Sequence, residues 1–456
     1  MQSLIALSIA IFAGLMLSRV AKLLKLPAVT AYLVAGILIG PYVLGQLGIE
    51  GLGFVSGENV KSFSIISEVA LGFIAFSIGN EFRVAQLKKI GKQATVIGIV
   101  QALITAVLVD LALVGLHFAM PNVLSLSAAL TLGAIATATA PAATLMVVKQ
   151  YKAKGPLTSI LLPVVALDDA VGLVVFSISF GVAKALVPGG EISLISILVE
   201  PLLEVILSLA LGAAVGFAFT FFERFFHSRS KRLSMSVAFI LLTVGLSMMK
   251  FDVPVAGEHI HIGFSSLLTC MMLGTIFCNI CDFSEELMDR VDRWVSPIFV
   301  LFFVISGAEL ELSVFTSLSV VIVGLVYIAA RSVGKYSGAL LSAKATKCSP
   351  TIVKYLGITL LPQAGVALGM AIKVGNAAGF ESDADIVRNI TLFAVLIYEL
   401  VGPMLTKISL LRAGEIRPDG KTSAREAARI IRQRRLRMEA ERAKREQEAA
   451  QGVNKE

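Results

Sequence analysis

Apolar runs of roughly 17 to 30 residues, separated by short clusters of charge or turn residues, recur along nearly the whole chain. Each is long enough to cross bilayer hydrocarbon as a helix. The pattern predicts thirteen spans, at 2 to 18, 27 to 47, 63 to 80, 93 to 117, 123 to 148, 156 to 187, 193 to 222, 233 to 250, 256 to 281, 294 to 310, 314 to 342, 351 to 373 and 386 to 408. The opening run, MQSLIALSIAIFAGLML, has no basic stretch before it and no small-residue cleavage site after it. It is expected to be the first span and not a removable signal. The fold class that follows is an all-α polytopic membrane protein.

Composition agrees with this reading: 56% of the 456 residues are hydrophobic and 16% charged, whereas roughly a quarter are charged in soluble domains. Charge adds orientation. With the N-terminus outside, inner loops and tail hold 33 of the 40 basic residues, as positive-inside placement requires. The net charge of +8 therefore implies membrane topology and not a nucleic-acid partner. The stretch from Arg412, with REAARIIRQRRLRMEAERAKREQEAA, reads as a highly charged cytoplasmic tail. Cys270, Cys278, Cys281 and Cys348 imply no disulfide framework, and the CxxC at 278 to 281 lacks the second pair that a metal site needs.

The chain also resembles itself at an offset near 230 residues. FIAFSIGNEF at 73 to 82 pairs with FFVISGAEL at 302 to 310, YLVAGILIG at 32 to 40 with LLTCMMLG at 267 to 274, and LDDAVG at 167 to 172 with IYELVG at 397 to 402. Spans 1 to 6 then correspond to spans 8 to 13. An odd separation of seven makes the halves cross the membrane in opposite senses, as in many secondary transporters. The expected organisation is a membrane domain over 1 to 410 (repeat one to about 187, a linker helix at 193 to 222, repeat two from about 233) and a basic tail over 411 to 456. Matching interruptions fall in spans 5 and 12, with Thr137, Thr139, Pro141 and Thr144 in one and Pro362, Gly365 and Gly369 in the other. Such breaks free backbone groups for ions near the midplane.

An ionisable residue inside a span costs roughly 3 kcal/mol on insertion scales and marks function unless it is paired. Asp168 and Asp169 are adjacent in LLPVVALDDAVGLVVF, about 100° apart on a helix, so one carboxylate can pair while the other binds ions. Arg331 and Lys335, four apart on one helix face, are the basic residues well inside a span, and each is expected to offset one aspartate. A carboxylate, threonine hydroxyls and freed carbonyls together suit a cation such as sodium. A proton competes for the same carboxylate, and competition at one site is already antiport. Gln363 in the second break and Glu399, which aligns with Asp169, are secondary candidates. Glu81, Glu309, Asp110, His117, His259 and His261 are further ionisable groups near span ends or in loops.

With TAYLVAGILIGP, TATAPAAT, LDDAVG, FVISGAEL, SVGKYSGA and LPQAGVALGMA, the chain resembles the monovalent cation/proton antiporter superfamily on its bacterial electrogenic side. The resemblance implies a homodimer in the bacterial inner membrane and an ion-binding core with two crossed, broken helices that moves as an elevator. It further implies sodium bound at Asp169, Asp168 paired with Lys335, Thr139 and Thr144 nearby, and no cofactor beyond the transported ions. The Asp-Asp pair with Lys335 goes with electrogenic exchange of sodium or lithium for protons. Potassium/proton antiport and organic-anion transport on the same fold are the alternatives. An aspartyl protease needs its two aspartates on different helices to share a proton, and an ATP-driven pump needs a GxxxxGK[ST] loop that the sequence lacks. An enzyme is not expected.

Overall fold

The structure, a computed structural model, describes residues 2–24, 26–49, 53–80, 82–186, 199–249, 251–255, 258–281, 283–310, 312–375 and 380–416. The predicted charged tail beyond 416, the predicted start of the seventh span at 193–198 and Glu81 lie outside the described residues. The helices are α1 (Gln2–Leu23), α2 (Ala28–Ile39), α3 (Gly57–Lys61), α4 (Ser64–Asn80), α5 (Val84–Ala119), α6 (Leu126–Ile135), α7 (Pro141–Tyr151) and α8 (Pro156–Ala185). They continue with α9 (Glu200–Glu223), α10 (Arg229–Ser247), α11 (Ser266–Ile280), α12 (Ser284–Glu309), α13 (Leu318–Ala345), α14 (Pro350–Thr359), α15 (Gly365–Gly375) and α16 (Glu381–Arg412). Among the described residues, nine helices are long and apolar enough to cross a membrane. Ser64–Asn80, Leu126–Ile135, Ser266–Ile280 and Gly365–Val374 are shorter apolar helices.

One expectation fails. The ninth span was placed from residue 256, but β1 (Phe251–Val255) and β2 (Glu258–Ile262) form an antiparallel hairpin with Phe251 opposite Ile262, and α11 starts only at Ser266. FDVPV and EHIHI alternate apolar and polar residues with a period of two, which suits a strand. Helix begins where the Ser265 hydroxyl accepts the Leu268 N–H as an N-cap.

The helices gather into two packing groups. In one, α2, α4, α9, α10, α11 and α12 share an apolar core that Ala142 and Leu145 of α7 and Leu162 and Ala166 of α8 also enter, and α1 joins through α2 and α12. In the other, α6, the far half of α8, α13, α15 and α16 share a core, while α5, α7, α14 and the near half of α8 pack beside it. Lipid offers no hydrophobic drive between helices, so close approach through small residues carries the packing. A Cβ on Gly36 of α2 would strike the Val304 carbonyl of α12, and one on Gly307 of α12 would strike the Leu33 carbonyl of α2. The same reciprocal contact joins α4 to α11, Gly79 against Met271 and Gly274 against Phe76. In the second group, Gly334 and Gly338 of α13 bring that helix against Thr105 and Gln101 of α5, with hypothetical Cβ distances of 2.8 and 2.7 Å to their Cα atoms.

Overpacking a tight contact costs about 1–3 kcal/mol and sometimes more. Gly307→Val is therefore expected to lower the melting temperature of the purified protein by several degrees, whereas Gly245→Val, where a Cβ meets nothing, leaves it unchanged. Equal melting temperatures would contradict the close α2–α12 crossing.

Candidate functional site

The site lies where two helices are interrupted. After α6 ends, residues 136–140 run without helix until Pro141 starts α7 as its first residue, where the missing N–H of proline costs nothing. Between α14 and α15, residues 360–364 do the same. The breaks touch: the Ala140 N–H donates to the Pro362 carbonyl at 2.8 Å, and Gln363 Nε2 donates to the Ile135 carbonyl at 3.1 Å. Gln363 also donates to the Tyr327 hydroxyl at 2.9 Å.

Asp168 and Asp169 stand on α8 beside this crossing, 0% and 3% exposed. Their environments differ as their angular separation predicted. Asp168 is fully engaged: its Oδ2 accepts from Lys335 Nζ at 2.8 Å and from the Thr139 hydroxyl at 2.5 Å, and its Oδ1 accepts from Gln101 Nε2. Lys335 also donates to the Thr137 carbonyl at 2.7 Å and to Thr139 Oγ1 at 2.8 Å, so the ammonium ties α13 to α8 and to the first break. Neither oxygen of Asp169 has a hydrogen-bond partner among the described residues. A buried carboxylate left so is rare, since burying a charge without compensation is expensive.

Arg331 corrects an expectation. It offsets no aspartate. Its guanidinium donates to the Ala136 carbonyl at 2.9 Å, Ala138 at 2.6 Å and Leu361 at 2.7 Å, and lies 4.5 Å from the Tyr398 ring centre. Helix ends leave carbonyls without intrahelical donors, and a rigid fork of five N–H groups serves several at once. Arg331 thus holds both breaks in register, while Lys335, one turn along α13, serves the aspartate.

The threonines divide among three partners. Thr139 bonds Asp168, Thr144 donates to the Thr359 carbonyl at 3.5 Å, and the Thr137 hydroxyl turns back to Ala134 at 2.7 Å; none bonds Asp169. Pro362 lies in the second break, and Gly365 opens α15. Glu399 on α16 is 5% exposed with Oε2 unpartnered among the described residues. Asp110 is half-buried against Gly133, the His117 ring bonds the Leu124 carbonyl, and Glu309 ends α12 at an exposed position. His259 and His261 lie in β2, away from the breaks in sequence. Cys278 and Cys281 are buried, and among the described residues no group of three His, Cys, Asp or Glu side chains could hold a metal.

Three residues of the site were not anticipated: Gln101, Tyr327 and Tyr398. The amide of Gln101, alone in the apolar run GIVQALITAVL, was the available signal. A cavity of about 270 Å³ runs between α7 and α8 from Lys149, Lys154 and Thr158 to Leu162 and Pro163, below Asp169 on the same helix. At its rim Lys149 pairs with Asp292 of α12 at 2.6 Å, which links the two packing groups.

Comparison with known proteins shows the family and the fold. The sequence model described as "Sodium/hydrogen exchanger, transmembrane" matches residues 7–411. The K(+)/H(+) antiporter subunit KhtU of Bacillus subtilis (strain 168) is 23% identical over 404 residues, covering 86% of this chain and 90% of the relative. Two structures of the sodium proton antiporter MjNhaP1 from Methanocaldococcus jannaschii share the fold. One superposes with a TM-score of 0.62 at 21% identity over 91% of this chain and 99% of that one. The other has a TM-score of 0.69 at 18% identity over 91% and 98%.

Proposed function

The chain belongs to the sodium/hydrogen exchanger family, and from that premise we propose that it exchanges sodium or lithium for protons at Asp169. The observation that carries the reading is the Asp169 carboxylate, 3% exposed, unpartnered among the described residues and next in the chain to Asp168, which bonds Thr139 in the first helix break. A group so placed binds either a cation or a proton and holds only one at a time. A cation would find carboxylate oxygen at Asp169 and hydroxyls and carbonyls at the breaks, the hard oxygen ligands that such ions take. The cavity between α7 and α8 reaches as far as Leu162 and Pro163, on the same helix as that carboxylate, and water entering from this end of the bundle would approach the site along it.

Asp168 is the fixed partner of Lys335 in this reading. Rearrangement of that pair on cation entry would make the exchange electrogenic, with more than one proton moved per cation. The inverted repeat, with α2 equivalent to α11 and α4 to α12, is supported by the reciprocal glycine crossings, because α2 meets α12 as α11 meets α4. The homodimer, elevator movement, inner-membrane location and outside N-terminus rest on the resemblance and on the distribution of basic residues.

Potassium/proton exchange is the second reading, favoured by the name of the Bacillus relative. Purified protein in proteoliposomes with an imposed pH gradient, tested with sodium, lithium and potassium in turn, separates the two. Sodium and lithium are expected to collapse the gradient at concentrations at least tenfold lower than potassium. A preference for potassium would replace the first reading by the second, and no response to any of the three would remove both.

A further inference from the structure

Helix α8 begins without a cap of its own. Gly155 is its N-cap residue, since its carbonyl accepts the Ser159 N–H at 3.0 Å, but glycine has no side chain to satisfy the N–H groups of the first turn. Pro156 needs no partner. The N–H groups of Leu157 and Thr158 donate instead to the two carboxylate oxygens of Glu415, at 2.6 and 2.8 Å, and the Thr158 hydroxyl donates at 2.5 Å. Glu415 lies 258 positions from Leu157 in the chain, just beyond the end of α16. It is 7% exposed, its own carbonyl accepts the Lys154 N–H at 3.1 Å, and Ile416 packs at 6% exposure in the cluster that holds Leu157, Ile160 and Leu161. A Cβ on Gly155 would collide with the Glu415 carboxyl. The missing cap and its distant replacement fit each other.

We propose that Glu415 is a positioning residue for transport: by capping α8 from the end of α16, it fixes the height of Asp168 and Asp169 against the two helix breaks. A helix rises 1.5 Å per residue, so the cap acts about 18–20 Å from the aspartates through a single helix, α8, in which Pro163 omits one backbone hydrogen bond on the way. α16 is tied to the breaks at the same time, because Gly402 packs against Pro362, and Tyr398 bonds Ser332 and the Ile328 carbonyl of α13. Breaking the cap frees α8 to slide or fray relative to both, and the cation ligands lose register. Residues 417–456 follow directly on this contact in the sequence, so whatever pulls on them pulls first on Glu415.

The inference rests on the exchange reading above, and its test separates the two. In full-length protein in proteoliposomes, Glu415→Ala and Gly155→Ala break the same contact from opposite sides. Each is expected to raise the apparent KM for the cation about fivefold or more with a smaller effect on maximal rate. Glu415→Gln, which keeps length and one acceptor, recovers part of the loss. The double variant is no worse than the more impaired of the two single variants, because the two changes remove one interaction. Should Glu415→Ala fail to fold, Thr158→Val removes a single bond of the cap and is read in the same way. A KM within twofold of wild type in these variants, or additive losses in the double, overturns the proposal. Absence of exchange in the wild-type chain would instead remove the functional reading. Amide hydrogen exchange then decides on the cap: faster exchange reaching residues 164–170 in Glu415→Ala supports positioning, and a change confined to 157–160 refutes it.

Discussion

Asp169→Asn is expected to abolish cation-dependent proton movement in proteoliposomes while leaving the protein folded and no less heat-stable than wild type. The two halves of that expectation have one cause. Neither Asp169 oxygen accepts a hydrogen bond from any described residue, so an amide of the same shape forfeits no contact. It also removes the need to bury a charge whenever the group stands without cation or proton, a charge whose desolvation costs of the order of several kcal/mol. The wild-type chain carries that cost because a carboxylate satisfied by its own protein would have nothing left to offer a cation. The measurements are gradient collapse by added cation and the melting temperature with and without cation. Exchange should fall below detection and cation-induced stabilisation should vanish, with the melting temperature in cation-free buffer equal or higher. Exchange at the wild-type rate would move the ion site elsewhere, to Glu399 before any other group.

How much of this was legible in the sequence depends on how local each signal was. Asp168, Asp169 and Lys335 stood out because charge inside an apolar run is expensive and needs a reason. The breaks stood out because Pro141, Pro362 and Gly365 interrupt helices at matched places. What a side chain faces across the bundle is not a local property. Arg331 and Lys335 share a helix face, and nothing in the sequence says that one finds three carbonyls while the other finds a carboxylate. Gln101 reaches Asp168 across the α5–α8 contact, where Gly98 of α5 lies against Leu167 of α8. The second strand of the hairpin, Glu258–Ile262, was absorbed into the ninth span because a short alternating segment next to a helix looks continuous with it when only hydropathy is followed. Glu415 is the extreme case: a glutamate just past a helix end reads as solvated charge until its partner, a glycine-capped turn far earlier in the chain, is beside it.

Lys335→Ala should be the second most damaging single change, and its companion experiment distinguishes the role of its charge from that of its packing. The ammonium is 0% exposed and gives three hydrogen bonds, to Asp168, Thr139 and the Thr137 carbonyl. Removing one partner of a buried ion pair costs about 3–5 kcal/mol, because the remaining charge is stranded. Asp168 would keep Gln101 and Thr139 as donors but carry its charge uncompensated, beside a second carboxylate one residue away. The variant is therefore expected to lose exchange by at least tenfold and to melt several degrees lower. Asp168→Asn combined with Lys335→Ala removes both charges together. The double variant should regain most of the lost stability, since no stranded charge remains, and the gain beyond additivity measures the coupling between the two sites. If the Asp168–Lys335 pair supplies the additional proton of an electrogenic cycle, exchange restored in the double variant through Asp169 will no longer respond to an imposed membrane potential, as a potential-sensitive dye would show. Unaltered voltage dependence in an active double variant would assign that proton elsewhere and leave Lys335 as the clamp that holds the first break against α8.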